Sequence, residues 1–170
     1  GGDNSGGMIQ STTGHGISLT NTTSPSFRNM HLQNTGNSGV NGTQVNGFSF
    51  TDGRITGAGD ASDENSITFD DSLTATPNLS GAVTITNNVI SQTEAEGVDI
   101  ENWGGTISDA NISTNALSDT GDVATPGSAV TLIGSGTATS AASISRASVT
   151  NNTITDFRAG VGVQVRAGNP

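Results

Sequence analysis

The chain has no cysteine, no lysine and no tyrosine, one tryptophan and four prolines, and no apolar run near the ~18 residues of a membrane-spanning helix. Without cysteine there are no disulfides, thiolate metal sites or thiol nucleophiles, which suits an exported bacterial or archaeal protein that manages without cross-links. Without lysine, and with five arginines against 15 acidic residues, the formal charge of −10 opposes phosphate backbones and anionic headgroups. Nucleic acid and membranes are therefore not expected partners. Only 31% of the 170 residues are hydrophobic and 4% aromatic, which is poor material for an ordinary globular core. No stretch reads as a helix, because Gly, Asn, Ser and Thr interrupt every window and the apolar period is two rather than 3.6.

What the chain does contain is repetition. Val83-Thr84-Ile85-Thr86-Asn87-Asn88-Val89-Ile90, followed by Gly97-Val98-Asp99-Ile100, returns as Val149-Thr150-Asn151-Asn152-Thr153-Ile154, followed by Gly160-Val161-Gly162-Val163. A weaker copy runs through Asn111-Ile112-Ser113-Thr114-Asn115-Ala116-Leu117 and then Ser128-Ala129-Val130-Thr131-Leu132. Six segments open on a small or polar residue and continue with alternating apolar positions. Their lead residues Ile17, Val40, Ile67, Val98, Val130 and Val161 are 23, 27, 31, 32 and 31 residues apart. One such repeat cannot bury its apolar face alone, so the chain is read as an array of stacked coils with corner loops of varying length. The expected fold is all-β: a right-handed, single-stranded parallel β-helix of about six coils spanning residues 1–170, with no significant helix.

The pattern (V/I)-x-(I/V)-x-N-N-x-I, then G-(V/I)-x-(I/V), resembles the right-handed parallel β-helix repeat of the pectate-lyase-like superfamily and of many large bacterial surface proteins. Asn87-Asn88-Val89-Ile90 with Gly97-Val98-Asp99-Ile100, and Asn151-Asn152-Thr153-Ile154 with Gly160-Val161-Gly162-Val163, carry it best, over about Gly14 to Arg166. The resemblance is to a repeat and not to one enzyme, so it implies a fold and leaves function to be argued from sites. An inward asparagine at a coil corner can bond its own turn and the amides stacked above and below it. Asn88, Asn115 and Asn152 are assigned to such corners.

Candidate chemistry is sparse. Gly14-His15-Gly16 is similar to the Gly-His-Gly element of polygalacturonases, and Asp70-Asp71 to their paired acids. The order is reversed relative to that family, however, and no Arg-x-Lys element can exist without lysine. Both are read as turns, and no catalytic residue is assigned. Arg146, Arg158 and Arg166 fall in the last two coils, where they could approach one another, but ion pairing is the expected use. Asp60, Asp63 and Glu64, and Asp119 and Asp122, sit in oxygen-rich turns that are candidate Ca²⁺ ligands, although they match no tandem calcium repeat. Asp99 and Glu101 should point outward beside Val98 and Ile100, leaving both available to cations or to a neighbouring molecule. Trp103 is a candidate carbohydrate-stacking residue, with packing over a corner as its ordinary role. Thr84-Ile85-Thr86 and Thr153-Ile154-Thr155 are similar to the outward Thr pairs of ice-binding solenoids. Their different offsets from the Asn pairs argue against one shared ladder.

These readings lead to a structural or adhesive extracellular segment, secreted or at the cell surface: a stalk, adhesin rod or filament-forming element rather than an enzyme. The expected partners are neighbouring coils, a second copy stacked end to end, or surface glycans. The alternative is a polysaccharide lyase or hydrolase, or a tailspike-like carbohydrate-binding β-helix. The start at Gly1-Gly2-Asp3-Asn4 suggests a processed or excised piece of something longer.

Overall fold

A computed structural model describes residues 6–70, 77–119, 127–136, 140–157 and 160–167. Its described residues form strands and turns with no helix, in three sheets that the chain visits in rotation. Sheet A stacks β1 (Gly7–Gln10), β4 (Met30–Thr35), β7 (Arg54–Ala58), β10 (Val89–Thr93), β13 (Ala116–Ser118) and β17 (Thr153–Thr155). Sheet B stacks β2 (Ile17–Thr20), β5 (Val40–Thr43), β8 (Ile67–Asp70), β11 (Val98–Asn102), β14 (Val130–Gly134) and β18 (Val163–Ala167). Sheet C stacks β3 (Ser26–Arg28), β6 (Val45–Thr51), β9 (Leu79–Thr86) and β12 (Gly105–Ser113). Its last level is split into β15 (Ala142–Ile144) and β16 (Ala147–Thr150), both paired with β12. Every strand pairing is parallel, and the strand three places later in the chain lies directly above its predecessor over most of the stack. This is a parallel β-helix of six coils.

Alternation builds the core. Along the strands the inward positions are apolar, and the register stacks them into columns; Met8 and Val89 are apolar residues that face outward. Sheet A contributes Ile9, Leu32, Ile55, Ile90, Leu117 and Ile154. Sheet C contributes Phe27, Phe50, Ile85, Ile112 and Val149. Sheet B contributes Ile17, Val40, Ile67, Val98, Val130 and Val163. Side chains in the middle coils, such as Ile55, Ile85, Ile90 and Ile112, are no more than 1% exposed, each adding roughly 1.5–3 kcal/mol of burial. Phe48 and Phe69, both buried, meet edge to face at 4.8 Å inside the coil.

The first five lead residues of sheet B lie where the repeat spacing puts them. The sixth does not: Val163, not Val161, stacks on Val130, so the last spacing is 33 residues. Gly160-Val161-Gly162-Val163 satisfies the alternation at either valine. A slip of two residues keeps the same side chains facing inward, so periodicity cannot choose between them.

Candidate functional site

The corner from sheet C into sheet A is built the same way in each coil. Asn29, Asp52, Asn87, Thr114 and Asn151 stand there with φ of 55°, 55°, 58°, 59° and 57°, left-handed conformations that turn the chain between strands. The residue after each turn points into the coil. From the third coil upward that residue is Asn88, then Asn115, then Asn152, and the structure brings the three together in one file. Asn115 Oδ1 accepts from the Asn88 amide nitrogen and from Asn88 Nδ2, both at 3.0 Å. Asn152 Oδ1 accepts likewise from Asn115 at 2.9 and 3.0 Å. Each Nδ2 also donates to a carbonyl of the sheet C strand in the coil below: Asn88 to Phe50, Asn115 to Ile85 and Asn152 to Ile112, all at 2.9 Å. The file starts on Gly53, whose N–H donates to Asn88 Oδ1 at 2.8 Å. No side chain fits at Gly53, because a Cβ would stand 2.5 Å from the Phe50 ring.

Outside this file runs a charged one. Arg28 Nε donates to Asp52 Oδ2 at 2.8 Å, and Asn87 Nδ2 to Asp52 Oδ1 at 2.7 Å, linking successive coils. The Asn87 amide and the Arg28 guanidinium together hold the Asp52 carboxyl below its ordinary range.

The outer face of sheet B is different in kind. Asp99 and Glu101 do face outward, but Asp99 is only 7% exposed, and its stacked neighbours Thr68 and Thr131 are 6% and 5% exposed. The expectation that both acids stand free for cations or a neighbour is thus corrected for Asp99. Its Oδ2 accepts from Asn65 Nδ2 at 3.2 Å. Burial, then the nearby Glu101, Glu96 and Asp70 carboxylates, push Asp99 up to about 8. Burial also raises Glu96 and Glu101; Arg166, in the same file two coils above Glu101, offsets part of the rise at Glu101.

Asn65, Asn78 and Asn102, which the repeat phrase does not mark, satisfy the other corners. Asn65 Oδ1 accepts from the Glu96 N–H at 2.8 Å. Asn102 Oδ1 accepts from the Asn78 and Leu79 N–H groups at 3.1 and 3.4 Å. A weak signal for Asn65 exists: His15, Ser38, Asn65, Glu96 and Ser128 each stand two places before the lead residue of their sheet B strand. Nothing comparable marks Asn78 or Asn102.

The remaining candidates are dispersed. His15 lies in the connection before β2, and Asp70 ends β8, so they sit at opposite strand ends two coils apart; Asp71 lies outside the described residues. Arg146 does not approach Arg166, because it belongs to the break between β15 and β16 in sheet C, whereas Arg166 is in β18 of sheet B. It instead pairs with Asp109 of the coil below, Nε–Oδ1 at 2.8 Å and Nη2–Oδ2 at 2.5 Å. Arg158 lies outside the described residues. In the loop before β8, Glu64 Oε2 accepts from the Asp60 and Ala61 N–H groups at 2.5 and 2.7 Å, so this carboxylate closes its own turn. Asp63 is exposed in the same turn, Asp119 follows β13, and Asp122 lies outside the described residues. Among the described residues no three His, Cys, Asp or Glu side chains gather as a metal site. Trp103 occupies the corner between β11 and β12, half-buried, with its indole N–H turned inside and unbonded among the described residues. Thr84-Ile85-Thr86 lies in sheet C and Thr153-Ile154-Thr155 in sheet A, so the two Thr pairs face different ways.

No protein-family model, no curated protein and no solved structure matches the chain. Function therefore rests on this geometry alone.

Proposed function

We propose that this chain is a rigid structural segment of a secreted or cell-surface protein, a stalk, adhesin rod or filament-forming element, and that it belongs among the right-handed β-helices of the pectate-lyase-like superfamily. The observation that carries the reading is the use of polar groups between coils. The corner asparagines bond the coil above and the strand below, and the ion pairs Arg28–Asp52 and Arg146–Asp109 also join one coil to the next. Side chains spent on stacking make a stiff rod. The last coil supports stacking on further coils or on a second copy. Val163 and Val165 share columns with the buried Val130 and Leu132, yet are 42% and 52% exposed. Such a surface is covered when another coil follows. Sedimentation velocity over a wide concentration range tests this. End-to-end association that rises with concentration and disappears in a Val163→Lys, Val165→Lys chain is the expected result. A species that stays monomeric at every concentration and is unchanged by the substitutions contradicts the stacking partner.

A polysaccharide lyase or hydrolase is the second reading, and the acids of sheet B favour it. Asp99, which burial pushes up to about 8, stands beside Glu101 and close to Asp70, and acid–base cleavage of glycosides needs a carboxyl that keeps its proton next to a second carboxylate. Release of reducing or unsaturated sugar ends from a polysaccharide panel, lost in Glu101→Gln, supports this reading. Release unaffected by that substitution removes sheet B as the site.

A further inference from the structure

The outward positions of sheet C form a regular two-dimensional array. The register aligns Ser49, Thr84, Asn111 and Ser148 in one file, and Thr51, Thr86, Ser113 and Thr150 in a second. Seven of these eight positions carry a hydroxyl, the eighth an amide, and none a charge. Neighbours in a file are ~4.8 Å apart and the files ~6.7 Å apart along the strand. Between the files, Phe50, Ile85 and Ile112 point inward and are fully buried, which fixes the backbone that carries the array. The threonines have restricted χ1, and stacked side-chain ladders hold a sheet flat, so the polar atoms keep the spacing of the backbone. Toward the strand starts the chain kinks at Gly47 and Gly81, and an open depression of about 350 Å³ beside Gly47 reaches the lower end of the first file at Ser49 and Thr84.

Charge marks this face off from the rest of the molecule. On a chain of net charge −10, the charged groups that border the array, Arg28 with Asp52 and Arg146 with Asp109, cancel in pairs. The face offers no ionic hold for a charged polymer, and its two files hold no aromatic side chain on which a sugar ring could stack. A hydroxyl both donates and accepts, so each position can hold one water, and a repeating array holds a repeating layer of them. Ordering each such water from the liquid costs up to ~2 kcal/mol of entropy. At a crystal face of ice the water is already ordered and that cost is absent, so the array favours solid water over liquid.

We propose that the outward face of sheet C is an ice-binding surface, in which the Ser49 and Thr51 files anchor a water layer continuous with an ice crystal. The sequence signal for it is not Thr-x-Thr, since Thr153 and Thr155 lie on another sheet, but the set Ser-x-Thr, Thr-x-Thr, Asn-x-Ser, Ser-x-Thr on stacked strands. The test is growth of single ice crystals and recrystallisation of fine-grained ice in solutions of the chain. Faceted crystals and arrested grain growth are expected. A Thr84→Tyr, Thr86→Tyr chain that keeps its circular dichroism and melting temperature should lose both effects, whereas Ser91→Tyr with Ser118→Tyr, on sheet A, should lose neither. Asn111→Thr completes a hydroxyl file and should strengthen both. Round crystals with grain growth equal to that in a non-binding protein of the same mass concentration would overturn the proposal. So would full activity in the Thr84→Tyr, Thr86→Tyr chain, or weaker activity in Asn111→Thr.

Discussion

The corner between sheets C and A and the outer face of sheet B use buried polar groups in opposite ways. At the corner the Asn88 and Asn115 amides find partners in the coil above and in the coil below, so burial raises the worth of every bond. On sheet B the buried group is an acid with carboxylates at Glu96, Glu101 and Asp70 around it, and burial there works against the charged form. A neutral, self-complementary side chain can be stacked once per coil without limit. An ionisable one in the same environment makes stability depend on pH.

Removing the middle of the corner file should give the largest effect. Asn115→Ala deletes the side-chain bonds to Ile85, Asn88 and Asn152 and leaves the Asn88 main-chain N–H, one N–H of the Asn88 side chain and the Ile85 carbonyl short of partners inside the coil. A loss of about 3–5 kcal/mol is expected in urea unfolding. A loss under 1 kcal/mol would mean that the corner is held by turn geometry alone.

The acids of sheet B come next. Asp99 is raised when folded, so the folded chain holds a proton that the unfolded chain releases. Stability is full at low pH, where both states are protonated, and falls as pH rises from about 4 to about 8. Glu96 and Glu101, both raised, add in the same direction. The fall should amount to a few kcal/mol, read as unfolding midpoints from pH 4 to pH 9. Asp99→Asn should flatten most of this slope and leave the chain more stable than the parent above pH 8. A parent whose stability rises over that interval would contradict a buried, proton-holding Asp99.

The smallest effect tests the turn itself. Thr114 is β-branched and holds φ of 59° where other coils use Asn or Asp. Thr114→Asn makes a third Asn-Asn pair and should stabilise by about 0.5–1 kcal/mol, raising the thermal midpoint without altering the circular dichroism spectrum.

The contrast between corner and face also explains what was legible in the sequence. The corner asparagines stand out because a stacked amide must recur at one place in each coil that the file joins, so Asn87-Asn88 and Asn151-Asn152 repeat as words. Strand alternation is legible for the same reason, and it fixes the inward column from Ile17 to Val130. Where a motif is degenerate under a two-residue slip, as at Val161 and Val163, local pattern carries no information about register. Asp99 looks like any outward strand residue, because period two separates inside from outside but cannot report what covers the outside. Asn78 and Asn102 serve their corner once, with no repeat to betray them. The sheet C array is spelled in different letters on each strand, so it emerges only when the register lines the strands up.

In-register parallel stacking of coils underlies the corner file, the column of acids and the sheet C array alike, and a cysteine-free chain allows it to be tested cleanly. Thr86 and Ser113 are stacked partners, ~4.8 Å apart, within disulfide range, whereas Thr84 and Ser113 are diagonal at ~8 Å, beyond it. Under mild oxidation a Thr86→Cys, Ser113→Cys chain should cross-link quickly and keep its fold, while Thr84→Cys, Ser113→Cys should remain largely reduced. Equal or faster cross-linking of the diagonal pair would contradict the stacked β-helix.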